Sequence, residues 1–173
     1  WPDLSGTRYE RVDRIGRGGM GTVWRGRDGE LEREVAVKVL AVPDPGPDET
    51  ARMLREARIL ARLEHPGIVP VHDAGLLPDG RPFYVMKYVR GRRLDEHVVA
   101  VPSLLERLRL FLQICDAVAF AHAHDVIHRD LKPQNVMVGP FGEVLVLDWG
   151  VAKVRGVADP AVPGAAPSSP DDV

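Results

Sequence analysis

The sequence lacks several features that would place it in other classes of protein. Cys115 is its only cysteine, so a disulfide within the chain is excluded and a reducing compartment suits it. No apolar run reaches the roughly 18 residues that a membrane span requires, and residues 1–10 contain no apolar core of a signal peptide. A net charge of −2 provides no general attraction to nucleic acid. These features predict a cytoplasmic globular protein with no membrane span in this chain and no nucleic acid partner.

Lysine is also scarce, although basic residues are not. Lys38, Lys87, Lys132 and Lys153 are the only four lysines, and the other 19 basic residues are arginines. Because the sequence uses lysine so rarely, a lysine inside a motif is more informative than usual.

The hydrophobic pattern predicts strands first and a long helix later. Five strands are predicted before residue 90, with one helix among them over residues 49–63. A longer helix is predicted from Ser103 to His124, with Ser103 and Glu106 as its capping box and with Cys115 in the core. The predicted strands cover residues 9–15, 23–24, 34–40, 68–73 and 83–89, a hairpin covers 136–138 and 144–147, and the apolar stripe of the long helix consists of Leu105, Leu108, Leu112, Cys115 and Ala119.

A glycine cluster follows the first predicted strand. Gly16, Gly18 and Gly21, together with Val23, fit the pattern Gly-x-Gly-x-x-Gly-x-Val. Glycine lets the backbone approach phosphate oxygens closely. In a dinucleotide-binding fingerprint the glycines open a helix, whereas Val23 continues as a strand, which favours a strand-turn-strand flap over phosphates. A glycine-rich hairpin without a ligand is the alternative at this point.

Lys38 lies at the end of the third predicted strand, where its ammonium group can reach two phosphate oxygens. Glu56 shares one helical face with Met53 and Leu60. Because a carboxylate on a packed face is costly unless it is paired, Lys38 is predicted to be its partner. The alternatives are a solvated lysine at a sheet edge and a surface pair between Glu56 and Arg52.

Residues 128–135 read His-Arg-Asp-Leu-Lys-Pro-Gln-Asn and fit the pattern His-Arg-Asp-x-x-x-x-Asn. In this pattern Asp130 can accept a hydroxyl proton, Lys132 can neutralise charge on a transferred phosphoryl group, and Asn135 can hold a metal ion. Asp148 follows in the triplet Asp-Trp-Gly at the end of a predicted strand. It provides a second metal-binding side chain.

Histidines near this segment allow another interpretation. His122, His124, Asp125 and His128 suggest a zinc site. However, His122 and His124 are two positions apart on the predicted helix and point to different faces, whereas zinc ligands on a helix are four positions apart. The sequence therefore favours a helix end followed by a loop in which His128 is a buried scaffold residue.

Together these motifs resemble those of the eukaryotic-like (Hanks-type) serine/threonine protein kinases of bacteria. The resemblance covers residues 8–155 and includes Val-Ala-Val-Lys at 35–38 and His-Pro-Gly-Ile-Val at 65–69. It implies an α+β, protein kinase-like fold, with a five-stranded antiparallel N-lobe that has one helix, followed by the start of a mainly helical, truncated C-lobe. The implied division is 1–89 for the N-lobe and hinge, 90–155 for the first part of the C-lobe with the catalytic loop, and 156–173 for the start of the activation segment or a disordered linker.

The resemblance also implies roles for individual residues. Met86 resembles the gatekeeper beside adenine, and the segment from Lys87 to Val89 resembles the hinge whose backbone binds adenine. A stacked spine is implied at Leu60, Val71, His128 and Trp149, and an adenine sandwich at Val23, Ala36 and Met137. The implied catalytic residues are Lys38, Glu56, Asp130 and Lys132, the implied ATP-binding residues are Ile15, Gly16, Gly18, Gly21, Val23, Ala36, Lys38, Met86, Tyr88, Val89 and Met137, and the implied metal ligands are Asn135 and Asp148.

The implied function is ATP-dependent transfer of the γ-phosphoryl group to serine or threonine hydroxyls of protein substrates, with Mg²⁺ or alternatively Mn²⁺. A kinase dimer, and a membrane anchor outside these residues, are further expectations. Trp149 stands where phenylalanine is usual, and Lys87 where an acidic residue is common. No Ala-Pro-Glu motif precedes Val173, so the 173 residues alone are expected to be poorly active. A nucleotide-binding pseudokinase or regulatory fragment, and a small-molecule phosphotransferase, are the alternatives.

Overall fold

One antiparallel sheet organises the first part of the chain. The computed structural model describes residues 2–17, 21–101 and 103–155. Its first five strands are β1 (Tyr9–Arg17), β2 (Gly21–Asp28), β3 (Arg33–Leu40), β4 (Val71–Leu76) and β5 (Pro82–Lys87). They pair in the order β1-β2-β3-β5-β4, and every pairing is antiparallel.

The two faces of this sheet have different partners because side chains alternate along each strand. On one face the alternate valines of β3 are almost fully buried. Lys38 points to the opposite face, where it contacts Glu56 of the helix α1 (Pro47–Arg62). The valine face forms a cluster of Leu4, Tyr9, Trp24, Val35, Val37, Val39, Leu77, Phe83 and Val85.

Helix α1 has a well-defined start and one buried side. Pro47 occupies its first turn, where the missing N–H is not needed, and the backbone N–H of Gly46 donates a hydrogen bond to Glu49 Oε2 over 2.8 Å. The helix buries Met53, Glu56, Ala57, Ile59 and Leu60 against the sheet and the core that follows.

The second part of the chain is built on short strands and one long helix. Helix α3 (Leu104–Ala123) starts after Ser103, whose hydroxyl accepts a hydrogen bond from the Glu106 N–H over 3.4 Å, as the capping box predicts. The remaining elements are β6 (Arg92–Arg93), α2 (Leu94–His97), a 3₁₀ turn (Val98–Ala100), β7 (Val126–Ile127), a 3₁₀ turn (Pro133–Asn135), β8 (Val136–Val138), β9 (Val144–Val146) and β10 (Lys153–Val154). The order β6-β8-β9 forms one small sheet and β10-β7 another. This architecture confirms the predicted fold class.

The fourth strand starts later than predicted. Residues 68–73 were the expected strand, but β4 begins at Val71. Ile68 and Val69 instead join the second part of the chain, because Ile68 forms a parallel bridge to Val146 of β9 and the Val69 N–H donates to the Val146 carbonyl. Both side chains are 1% exposed. The division at residues 89 and 155 stays a prediction, and residues 156–173 lie outside the described part of the chain.

Helix α3 buries the face opposite to the predicted apolar stripe. Leu110, Ile114, Ala117 and Ala121 pack against the core. Cys115 is exposed, so its prediction as a core residue is wrong. The reason is that both faces of α3 are apolar, and the sequence does not mark which one meets β7 and β9. The predicted stripe is exposed at Leu105, Leu108, Leu112, Cys115 and Ala119, beside Leu104 and Phe111. Within the described ranges, no helix is both long enough and apolar enough to cross a membrane.

The exposed face of α3 predicts self-association of the 173-residue chain, because contiguous apolar patches on a protein surface promote contacts between molecules. We expect light scattering after size exclusion to detect oligomers whose fraction increases with concentration. The variant Leu108→Glu with Leu112→Glu should shift the distribution toward monomer. Val99→Glu is the matched control, because Val99 is an apolar residue that is 85% exposed outside this face. A monomeric wild-type chain at all concentrations would contradict the prediction.

Candidate active site

Lys38 and Glu56 form a buried ion pair between β3 and α1. The Lys38 ammonium group donates to both carboxylate oxygens of Glu56, over 2.8 and 2.9 Å. Lys38 is 7% exposed and Glu56 is 1% exposed. The predicted pairing is therefore present, and the alternative of a surface pair with Arg52 is wrong. Removing one partner of such a pair leaves an uncompensated charge and costs about 3–5 kcal/mol.

The same ammonium group reaches the second part of the chain. Lys38 Nζ lies 3.3 Å from Asp148 Oδ1, and about half of the Asp148 side chain is exposed. Asp148 is held near Asn135 by the backbone, because the Leu147 N–H donates to the Asn135 carbonyl over 2.8 Å. The motifs at 38, 56, 135 and 148, which are far apart in the sequence, thus converge on one place.

Asp130 is surrounded by hydrogen-bond donors from its own loop. Lys132 Nζ donates to Oδ2 over 2.7 Å and to Oδ1 over 3.0 Å. The Asn135 amide donates to the Asp130 carbonyl over 2.8 Å and to Oδ2 over 3.1 Å. The hydrogen bonds from Lys132 first, and from Asn135 next, hold the pKa of Asp130 below its ordinary value. Asp130 is therefore a carboxylate at neutral pH and can accept a hydrogen bond from a hydroxyl group.

His128 holds this loop to the core, as the scaffold interpretation predicts. Its ring is buried; Nδ1 accepts from the Asp130 N–H over 3.2 Å and Nε2 donates to the Leu147 carbonyl over 2.9 Å. These partners fit the Nε2–H tautomer. The ring of Trp149 lies 4.6 Å from the His128 ring, and the Trp149 side chain is 1% exposed. Trp149, which replaces the usual phenylalanine, is thus accommodated in the core.

Two residues of the site have a left-handed backbone. Arg129 has φ 65° and Asp148 has φ 58°, a region that non-glycine residues rarely occupy. Each adjoins a residue that is fixed in the core, His128 or Trp149. The Arg129 guanidinium also donates to the Val151 carbonyl over 2.6 Å. Residues in this rarely populated backbone region are common at functional sites.

The glycines of the first turn have different structural reasons. A Cβ atom at Gly21 would lie 2.6 Å from the Val39 carbonyl oxygen, so packing between β2 and β3 requires glycine at this position. A Cβ atom at Gly16 would meet only the Val23 Cβ at 4.0 Å. Packing therefore does not require glycine at position 16, and a role in ligand binding is the remaining explanation for this glycine. Gly18 lies outside the described residues.

The residues predicted to bind adenine lie on two sheets. Ala36 of β3 is paired with Met86 of β5, and Val23 of β2 is paired with Lys38, which places Val23, Ala36 and Met86 on the Lys38 face of the sheet. Met137 lies on β8 of the second sheet and is half-buried. Ile15 is exposed on β1, and Tyr88 and Val89 are half-buried beyond the end of β5. The adenine-binding roles stay predictions.

Asn135 and Asp148 have the chemistry to hold a magnesium ion. The Asn135 side chain donates through its nitrogen to Asp130, which leaves its amide oxygen without a hydrogen bond among the residues described. The half-exposed Asp148 carboxylate provides further oxygen ligands, and Mg²⁺ prefers oxygen ligands from one or two side chains together with phosphate oxygens. The donor set therefore fits the ion. In the described ranges, no group of three or more histidine, cysteine or acidic residues could form a metal site, so the zinc interpretation has no support.

Sequence reasoning missed Tyr84 at this site. Its hydroxyl donates to Glu56 Oε1 over 2.9 Å from β5. Tyr84 is two residues before Met86 and therefore shares its face of the sheet, which is the one signal that could have found it. Gln134 was also missed; its side chain donates to Asp95, which accepts from Arg93.

The comparison with known proteins agrees with this geometry. The protein kinase domain family matches residues 9–159. The chain belongs to the protein kinase domain family.

Curated relatives are bacterial serine/threonine-protein kinases. The chain is 37% identical over 160 residues to PknD of Protochlamydia amoebophila, covering 84% of this chain and 16% of that protein. It is 40% identical over 160 residues to PknD of Chlamydia muridarum, covering 84% and 17%. It is 41% identical over 150 residues to the probable kinase PknB of Lactococcus lactis, covering 84% and 24%. The chain thus spans a quarter or less of these relatives, and the resemblance to bacterial kinases is confirmed.

The hydrogen bonds at Asp130 predict a measurable shift in its pKa. Lys132→Met removes the largest cause of the low value, so the pKa of Asp130 should rise toward its ordinary value. A ¹³C NMR titration of the Asp130 carboxyl group in the wild type and the variant measures this change. Lys87→Met is the control, because it removes the same charge at the exposed end of β5. The prediction is wrong if both variants titrate like the wild type.

Proposed function

We propose that this chain forms the nucleotide-binding and catalytic-loop part of a protein kinase that transfers the γ-phosphoryl group of ATP to serine or threonine hydroxyls. The observation that carries the proposal is the convergence of Lys38, Glu56 and Asp148 beside the loop of Asp130 and Asn135. Phosphoryl transfer depends mainly on positioning and charge neutralisation, and this arrangement supports both.

Each residue of the site has a chemical part in the proposal. Lys38, held by Glu56, donates to phosphate oxygens of ATP. Asp130 accepts the hydrogen bond of the acceptor hydroxyl, and Lys132 neutralises charge on the transferred group. The backbone after Met86 binds adenine, with Val23, Ala36 and Met137 around the ring. Gly16, Gly18 and Gly21 allow close approach to the phosphates.

We propose Asn135 and Asp148 as the ligands of the divalent ion. When bound, Mg²⁺ neutralises negative charge on phosphate oxygens, and Mn²⁺ is the alternative ion because it also prefers oxygen ligands. Asn135 is oriented by its two bonds to Asp130, and Asp148 by its backbone and by Lys38. The two residues therefore hold their oxygens in place before an ion binds.

A pseudokinase is the second candidate, but the site favours it less. Loss of activity is expected to follow loss of the lysine or of one of the carboxylates, whereas Lys38, Asp130 and Asp148 are all present. The identified relatives carry the name serine/threonine-protein kinase, which supports protein rather than small-molecule acceptors. Because ATP is the proposed phosphoryl donor, we place the domain in the cytoplasm. Dimer formation and an anchor elsewhere in the protein stay predictions.

Binding of Mg·ATP is the first test of the proposal. Isothermal titration of the folded protein should detect binding, because the phosphate and hinge residues lie within this chain. Asp148→Asn should weaken binding of Mg·ATP more than binding of adenosine, since it removes the charge of a proposed ion ligand, which also lies beside Lys38. The absence of any heat or thermal stabilisation in a folded sample would refute the proposal.

Replacement of Lys38 tests the catalytic role. Each charge-assisted hydrogen bond contributes about 1.5–3 kcal/mol, and about 1.4 kcal/mol corresponds to a tenfold change in rate. We therefore expect Lys38→Met, in the longest natural form of the protein, to lower kcat/KM at least about tenfold. Lys153→Met, which removes a lysine on β10, is the control. Circular dichroism must verify the fold, because the variant leaves the buried Glu56 unpaired. Unchanged kcat/KM would exclude the role assigned to Lys38.

A further inference from the structure

The hydroxyl of Tyr84 is a second donor to the buried Glu56 carboxylate. Tyr84 of β5 pairs directly with Lys38 of β3, and it is 1% exposed. Its hydroxyl donates to Glu56 Oε1 over 2.9 Å, while Lys38 donates to Oε1 and Oε2 over 2.8 and 2.9 Å. Two adjacent strands thus hold one carboxylate of α1.

The two donors are not equivalent, because only Lys38 also donates to a group other than Glu56. Its ammonium group also lies 3.3 Å from Asp148 Oδ1 and 5.7 Å from the centre of the Tyr84 ring. When this group shares its donors with an anionic ligand, its hold on Glu56 weakens. A buried carboxylate that loses hydrogen-bond donors destabilises the fold. The Tyr84 hydroxyl still donates to Glu56 when Lys38 also binds a ligand.

Tyr84 stays a donor at any working pH. Burial first, and the negative charge of Glu56 next, raise the pKa of the Tyr84 hydroxyl well above its ordinary value. Ionisation would place a second negative charge beside Glu56 in the core. The hydroxyl therefore remains protonated, and its proton points to Glu56 because no other hydrogen-bond partner of this hydroxyl is found in the described residues.

We propose that Tyr84 is a positioning residue of the phosphate site, whose hydroxyl fixes Glu56 so that Glu56 can fix Lys38. This inference rests on the proposed function, because it assumes that Lys38 binds phosphate. A positioning role differs from a purely structural role in the ligands whose binding it affects. A positioning role affects ligands that carry phosphates, whereas a loosened fold affects every ligand of the cleft.

The test compares two ligands that differ only in their phosphates. Tyr84→Phe removes the hydroxyl and keeps the ring, and the dissociation constants of Mg·ATP and of adenosine are measured by isothermal titration. We expect the affinity for ATP to fall about tenfold, the scale of one hydrogen bond to a charged group. Adenosine should bind within about twofold of the wild type, which is well below that scale. Tyr84→Met, which also lacks the hydroxyl, should give the same pattern if Tyr84→Phe folds poorly.

Tyr9 offers a matched control in the same sheet. It is 3% exposed, and its hydroxyl donates to Asp73 Oδ2 over 2.8 Å. Burial raises its pKa to about 12, as it raises that of Tyr84. Tyr9→Phe thus removes a comparable hydrogen bond from a tyrosine to a carboxylate, but away from Lys38. It should lower the free energy of unfolding and leave both affinities unchanged.

A double variant tests whether Tyr84 acts through Glu56. If it does, Tyr84→Phe has no further effect on ATP affinity in a Glu56→Gln background. The reason is that substitutions of two residues in contact do not have additive effects on the free energy. The inference is overturned if Tyr84→Phe leaves ATP affinity unchanged, if it weakens ATP and adenosine equally, or if its effect adds to that of Glu56→Gln. In those cases the wild type still binds Mg·ATP, and the proposed function stands. If the folded wild type binds no ATP, the proposed function and this inference both fail.

Discussion

The buried ion pair between Lys38 and Glu56 is the constraint on which the rest of this structure depends. A carboxylate that is 1% exposed requires a cation and further donors nearby. Helix α1 can therefore pack on the sheet only in the rotation that brings Glu56 to Lys38. The same rotation buries Met53 and Leu60, so the apolar and ionic requirements select one arrangement.

The part of the site formed by the loop of Asp130 and Asn135 is held by hydrogen bonds to backbone groups and not by a buried ion pair. The His128 ring bridges the Asp130 N–H and the Leu147 carbonyl, and the Leu147 N–H binds the Asn135 carbonyl. These hydrogen bonds therefore tie the loop of Asp130 to the segment that directly follows β9. The ionic half and the hydrogen-bonded half meet at Asp148, which lies 3.3 Å from Lys38 Nζ. The Asp148 carboxylate therefore lies where it can interact with a charged ligand of the cleft as well as with Lys38.

The sequence predicted those features that a single physical rule determines. Glu56 on an apolar face needs a partner, and Lys38 is the scarce residue that could supply it. Ile68 and Val69 were predicted in the fourth strand but precede it. An apolar pair is compatible both with a strand and with a core position outside one. Helix α3 is apolar on two sides, so Cys115 was assigned to the wrong one. Tyr84 was overlooked because strand alternation predicts the face on which its ring lies but not the partner of its hydroxyl.

Trp149 is one of the two side chains that depart from the family pattern, and its surroundings are specific to tryptophan. Its indole N–H donates to the Val146 carbonyl over 3.4 Å, a bond that phenylalanine cannot form. Its ring is buried against His128, and truncating a buried ring of this kind costs about 3–5 kcal/mol. Asp148, its neighbour, has a left-handed backbone and lies 3.3 Å from Lys38 Nζ. The larger aromatic residue thus fixes in the core the position that directly follows Asp148 in the chain.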